Sequence, residues 1–119
     1  MNNTYINKYV VYMSAIKNRA PSTTNEYAND LIRFFNWLLE SRGLDKDYSV
    51  DKALLESITI YDGYGYLKYK SENGVSAKTR ARIVSSIRGF FIFLDKQENI
   101  KSNIVELEKP KIEKAIPKF

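Results

Sequence analysis

The chain has 119 residues, nineteen Lys and Arg against fourteen Asp and Glu, and a formal charge of +5, the size of one small domain. Aliphatic and aromatic residues make up 44% of it and charged residues 28%, which suits a chain with a buried core and excludes a disordered or membrane-embedded one. It has no cysteine and no histidine, so disulfides, thiol chemistry, imidazole acid–base catalysis and the usual zinc sites are excluded. No catalytic residue, metal site or cofactor is expected.

The charge is uneven: residues 1–62 carry a net −1, residues 63–94 a net +5 and residues 95–119 a net +1. The excess sits in one stretch, which is either a solvated basic face or a contact for an anionic polymer. The amino terminus, Met1 to Ile6, has no basic region followed by an apolar run, and no window of about 18 apolar residues occurs. A cytoplasmic protein without a membrane segment is expected.

In chain order, Ile6, Tyr9, Val10, Met13 and Ile16 repeat at helical spacing, predicting a first helix from Tyr5 to about Lys17–Arg19, before Pro21. Asn2, Asn3 or Thr4 can cap it. Thr23-Thr24-Asn25-Glu26 reads as a capping box that opens a second helix. Tyr27, Leu31, Phe34, Phe35, Leu38 and Leu39 form its stripe, and Gly43 ends it. Burial at roughly 1.5–3 kcal/mol per side chain makes that stripe core, with Trp37 plugging against a neighbouring helix. Residues 44–58 form an acidic connection with a helical turn at Lys52 to Glu56, without the spacing or glycine of a calcium loop.

Thr59 to Asp62 starts a third helix, closed by Asn73-Gly74. Its Gly63 and Gly65 lack the later glycine and lysine of a phosphate loop and suit close helix packing. Ser76 caps a last long helix reaching about Gln97, with Ile83, Val84, Ile87, Phe90, Phe91 and Leu94 buried. Its opposite side reads Lys78, Arg82, Ser85, Gly89: cationic at the start and small further on, so that a phosphate backbone can approach the helix dipole. Asn103 to Leu107 form a short turn. Residues 108–119, with Pro110 and Pro117, read as a linker to something beyond. Shifted by 56 residues, Thr23, Tyr27, Leu31, Phe34-Phe35 and Leu38 fall on Thr79, Ile83, Ile87, Phe90-Phe91 and Leu94, an echo that packing similarity explains and that suggests two helical hairpins packed across each other.

Ser22-Thr23-Thr24, Tyr27, Asp30-Leu31, Phe34-Phe35-Asn36-Trp37-Leu38 and Gly43 resemble the first half of the core-binding domain of tyrosine recombinases, the phage integrase and Xer group. Gly74 to Thr79 and Ala81 to Phe91 are similar to that domain's last long helix, and Lys109-Pro110-Lys111 to the segment leading into the catalytic domain. The resemblance implies an all-α, four-to-five-helix SAM-like bundle of two crossed hairpins. It would occupy residues 1–107, with residues 108–119 starting the linker. It also implies half of a clamp on double-stranded DNA, with the catalytic domain of the same polypeptide and other recombinase protomers on DNA as partners. The family's chemistry uses histidines and a nucleophilic tyrosine, so none of the nine tyrosines here is read as a nucleophile.

On that reading Lys78, Arg80, Arg82 and Arg88 contact phosphates, and Ser76, Thr79 and Ser85 donate hydroxyl bonds. Arg80 lies nearer the core side, and for Arg88 an ion pair with an acidic neighbour competes. Thr23, Thr24 and Asn25 are candidates at the second helix's amino end, with capping as the competing use of the threonines. Asn29 and Arg33 lie on its outer face, and Lys17 and Arg19 extend the phosphate track. The alternatives are a protein-interaction module presenting Tyr64, Tyr66 and Tyr69, or a standalone non-enzymatic DNA-binding protein. The span from Gly43 to Thr59 is too long for the turn of a helix-turn-helix.

Overall fold

The structure, a computed structural model, describes residues 4–112. In order these form α1 (Thr4–Ala15), α2 (Pro21–Ser41), α3 (Lys52–Ser57), α4 (Ile60–Glu72), α5 (Ala77–Glu98) and a 3-10 turn at Asn103–Glu106. The all-α expectation holds, with no strand among the described residues. None of the described helices is long and apolar enough to cross a membrane.

Local chemistry sets the helix ends. The first helix stops at Ala15, short of Lys17: Asn18 is left-handed (φ 52°) and the Arg19 N–H closes back on the Met13 carbonyl at 3.1 Å. Its proposed caps Asn2 and Asn3 lie outside the described residues, and Thr4 is already helical. The second helix starts at Pro21, behind an extended Ala20, so the capping box at Thr23 to Glu26 does not form. Proline has the helical φ and no amide proton to leave unpaired, which makes it a better first residue than Thr23 would be. Thr24 is buried instead, its hydroxyl donating to the Pro21 carbonyl at 3.0 Å.

Gly43 is left-handed (φ 66°) and lets Leu44 N–H reach the Leu39 carbonyl at 2.9 Å, ending α2 as expected. Asp51 caps α3 through Leu54 N–H at 2.9 Å, and Asp62 accepts the Thr59 N–H at 2.8 Å at the start of α4. Ser76 caps α5, its Oγ accepting Thr79 N–H at 3.2 Å. The two glycines of α4 serve close packing: Gly63 faces Leu107 and Ile104, and Gly65 faces the Trp37 ring.

The 56-residue echo has a geometric meaning. Tyr9 on α1 lies against Phe90 and Phe93 of α5, with ring centroids 5.6 and 5.3 Å away at 60° and 47°. Tyr66 on α4 lies against Phe34 and Trp37 of α2 at 5.2 and 5.3 Å, at 67° and 50°. Tyr12 on Phe93 and Tyr69 on Trp37 repeat the match one turn on. Phe34 and Trp37 are the echo partners of Phe90 and Phe93. Each hairpin thus lays its first helix on the other's second, and across the centre Glu26 bonds Arg82 and Asp30 bonds Ser86, both pairs 56 residues apart. Equivalent residues meeting one another is the signature of a two-fold relation, here an approximate one between α1–α2 and α4–α5.

The segment after α5 is tied down through Leu107. Ser102 donates to the Ile58 carbonyl at 2.6 Å, Asn103 accepts Ile60 N–H at 2.8 Å, and Ile104 and Leu107 are fully buried. The part of the expected linker beyond residue 112 lies outside the described residues.

Candidate nucleic-acid interface

At the centre of the pseudo-dyad lies a carboxylate clasp. Asp30 is 2% exposed. Arg82 grips it with two donors, Nε at 3.2 Å and a terminal nitrogen at 2.9 Å, and the Ser86 hydroxyl donates to it at 2.7 Å. The other terminal nitrogen of Arg82 reaches Glu26 at 2.6 Å. The bond to Asp30, more than any other influence, holds the guanidinium still more firmly protonated than an ordinary arginine. Its charge is matched by two carboxylates, and it fastens α2 to α5, a structural role beside the phosphate contact expected from the sequence.

The clasp also sets how the helices present themselves. Contacts run from Glu26–Arg82, which is partly exposed, through Asp30–Ser86 to Phe35–Phe90 in the core. The amino-terminal turns of α2 and α5 therefore emerge on the same side, each bringing the positive end of its dipole. Lys78, Asn25 and Asn29 are exposed there. The Ser76 hydroxyl donates to Thr79 Oγ1 at 3.1 Å in the α5 cap, which commits the Ser76 proton. Thr23 is half-buried, and the burial of Thr24 withdraws it from the surface, correcting its place among the contacts.

Beside this centre, α1, α2 and α5 enclose a cleft of about 380 Å³. Lys17 and Arg19 stand on one wall, Ser85 and Lys96 on another, with Tyr27 alongside and no carboxylate in the lining. Lys17, Arg19, Lys78 and Lys96 form no ion pair among the described residues. Lys96 and Tyr27 were missed as site residues. The spacing Arg82, Ser85, Gly89, Ile92, Lys96 follows one helical stripe, and extending the cationic face along it would have found the lysine.

Three further expectations change. Gly89 lines the cleft, and a Cβ there would meet the Tyr9 hydroxyl at 2.5 Å, so its small size admits α1. Arg88 forms no ion pair with an acid among the described residues, and its Nε donates to the Val105 carbonyl at 3.0 Å, holding the 3-10 turn. Arg80 bends back to the Val75 carbonyl at 3.1 Å. Arg33 stays exposed, 3.8 Å from Asp30, in a smaller recess with Trp37, Tyr69 and Lys70 that is the pseudo-dyad mate of the cleft. The docking alternative loses Tyr66, which is 1% exposed, while Tyr64 and Tyr69 remain partly exposed.

Residues 6–98 match the family described as phage integrase, N-terminal SAM-like domain. The chain belongs to this family. Among curated proteins this integrase-type domain is 34% identical to the tyrosine recombinase XerC of Caldanaerobacter subterraneus subsp. tengcongensis, over 90% of the chain and 34% of that protein. It is 31% identical to XerC of Oceanobacillus iheyensis, over 97% of the chain and 35% of the relative. It is 30% identical to XerD of Staphylococcus saprophyticus, over 96% of the chain and 36% of the relative. The chain thus spans about a third of the length of these recombinases. No solved structure matches it.

Proposed function

We propose that this domain is the non-catalytic DNA-binding part of a site-specific tyrosine recombinase, working in the cytoplasm. It would hold double-stranded DNA while a catalytic domain of the same polypeptide, joined through residues 108–119, performs integration or recombination with other protomers on the DNA. The observation that carries the reading is the cleft of Lys17, Arg19 and Lys96, unpaired among the described residues and free of carboxylates, in a chain of the phage-integrase family. Unpaired cations around a concave face attract a polyanion and release its counterions on contact. The two dipole ends beside it bring the same sign of potential to one surface.

In this reading Lys78, Lys17, Arg19 and Lys96 contact phosphates, and Asn25, Asn29 and Arg33 face the groove. Arg82, Arg80 and Arg88 shape the domain. A chemical-shift titration with a duplex tests it: Lys17 to Asn29, Lys78 to Ser85 and Lys96 should move. Binding should weaken by about 0.9 log units per log unit of salt for each phosphate neutralised. Salt-independent binding, or shifts confined to Tyr64 and Tyr69, would overturn the assignment in favour of a protein partner.

A further inference from the structure

Glu26 is out of place on a face otherwise presenting Lys78, Asn25 and Asn29. A carboxylate there repels phosphates, yet it is held where it is. Its Oε1 accepts a terminal nitrogen of Arg82 at 2.6 Å, and Arg82 is pinned by its other two nitrogens to Asp30. Asp30 is buried and further fixed by Ser86, so the guanidinium cannot swing and Glu26 is held with it. Even so, the Glu26 side chain is 50% exposed, and its Oε2 accepts no hydrogen bond among the described residues. The result is one oriented acceptor between the amino-terminal turns of α2 and α5.

When DNA displaces the water around that half-exposed oxygen, a donor must replace it, and phosphates have none. In the major groove the donors are the N4 amino group of cytosine and the N6 amino group of adenine. Adenine sets its N7 acceptor beside N6, which opposes a carboxylate, whereas the cytosine edge offers the donor alone. We propose that Glu26 is a sequence-reading residue whose free oxygen accepts the N4 amino group of a cytosine in the major groove, with Arg82 as its positioning residue. The proposal rests on the duplex-binding reading above. Ordering the acceptor before binding spares the entropy that a free glutamate side chain would lose on contact.

The test is selection of bound duplexes from a randomised library by the native chain, by Glu26→Gln and by Glu26→Asp, with thermal melting of each variant alongside. The native chain should enrich cytosine at one position. Glu26→Gln should move that position toward adenine, changing the cytosine-to-adenine ratio roughly tenfold, because an amide pairs with adenine N6 and N7. Glu26→Asp, too short to reach, should lose the preference at that position while its melting stays near native. An unchanged base preference in Glu26→Gln overturns the proposal. So does uniform tightening on every sequence, which would make Glu26 only a repulsive charge. A native chain that binds duplex but enriches no base overturns sequence reading and leaves duplex binding standing. Failure of the native chain to bind any duplex at low salt overturns both.

Discussion

Tyr9 and Tyr66 occupy equivalent places in the two halves of the domain, each set against an aromatic pair of the opposite hairpin. Burial, more than any neighbouring charge, pushes both phenols up from 10.0 to about 12. For Tyr66 the Asp30 carboxylate adds to the shift. The neutral phenol is therefore favoured in the folded state, while the unfolded chain releases these protons from about pH 10 upward. Stability is complete below pH 10 and falls as the pH rises toward 12, by roughly 2–3 kcal/mol for each tyrosine at the upper limit. Urea unfolding measured between pH 8 and pH 11 should show the decline. Tyr9→Phe and Tyr66→Phe should each remove about half of it, and an alkaline profile unchanged in both variants would contradict the symmetric burial.

The aromatic contact also fixes what Gly89 can become. A methyl group there would meet the Tyr9 hydroxyl at 2.5 Å, and that ring is wedged between Phe90 and Phe93. Alanine gains about 1 kcal/mol over glycine within a helix, but moving a wedged ring costs about 1–3 kcal/mol. Gly89→Ala is expected to destabilise by about 1 kcal/mol net. At Gly65 the nearest atom is the Trp37 ring at 3.3 Å, so Gly65→Ala should be close to neutral. Thermal melting of the two variants checks the order, and a Gly89→Ala protein as stable as Gly65→Ala would show that α1 sits elsewhere.

Asp30 carries the join between the hairpins. Asp30→Ala would leave Arg82 and Ser86 facing a gap, with the guanidinium retaining one carboxylate and some solvent. Loss of one partner from a buried pair costs about 3–5 kcal/mol, and the partial exposure of Arg82 puts this case near 3. The melting temperature should drop by more than 10 °C, on the scale of roughly 4–8 °C per kcal/mol for a domain near this size. Arg82→Ala should act in the same direction, because it leaves the buried carboxylate without its main partner. A variant at either position that melted like the native chain would remove the clasp from the account of stability.

Much of this architecture is written in apolar spacing. The stripes of α2 and α5 are long, uninterrupted and strongly periodic, so Phe34, Phe35, Phe90 and Phe91 declare themselves core without any knowledge of the partner helix. Gly43 and Ser76 end and begin helices for reasons confined to a few residues. What spacing does not carry is the partner of a charge. Asp30 and Arg82 are 52 residues apart, and each alone reads as a solvated side chain. The same limit hides the role of Gly89 as space for α1, and gives Thr23 a capping role that Pro21 makes unnecessary. Lys96 extends the cationic stripe of α5, but spacing does not show its neighbours: Lys17 and Arg19 come beside it because α1 lies across α5.

The cationic cleft is where affinity for a polyanion is expected to reside, and it separates cleanly from the clasp. Lys17→Ala, Arg19→Ala and Lys96→Ala remove exposed charges with no ion-pair partner among the described residues. Surface changes of this kind usually stay within about 0.5 kcal/mol in stability. Each should nonetheless weaken duplex binding on all sequences alike and reduce the slope of log affinity against log salt by about one. Lys46→Ala, in the acidic connection after α2, should change neither quantity. Anisotropy titrations of a labelled duplex at three or more salt concentrations measure both. Equal slopes for the native chain and all three cleft variants would place the phosphate track on another face, because loss of a phosphate contact must appear as fewer counterions released, whatever sequence the groove presents.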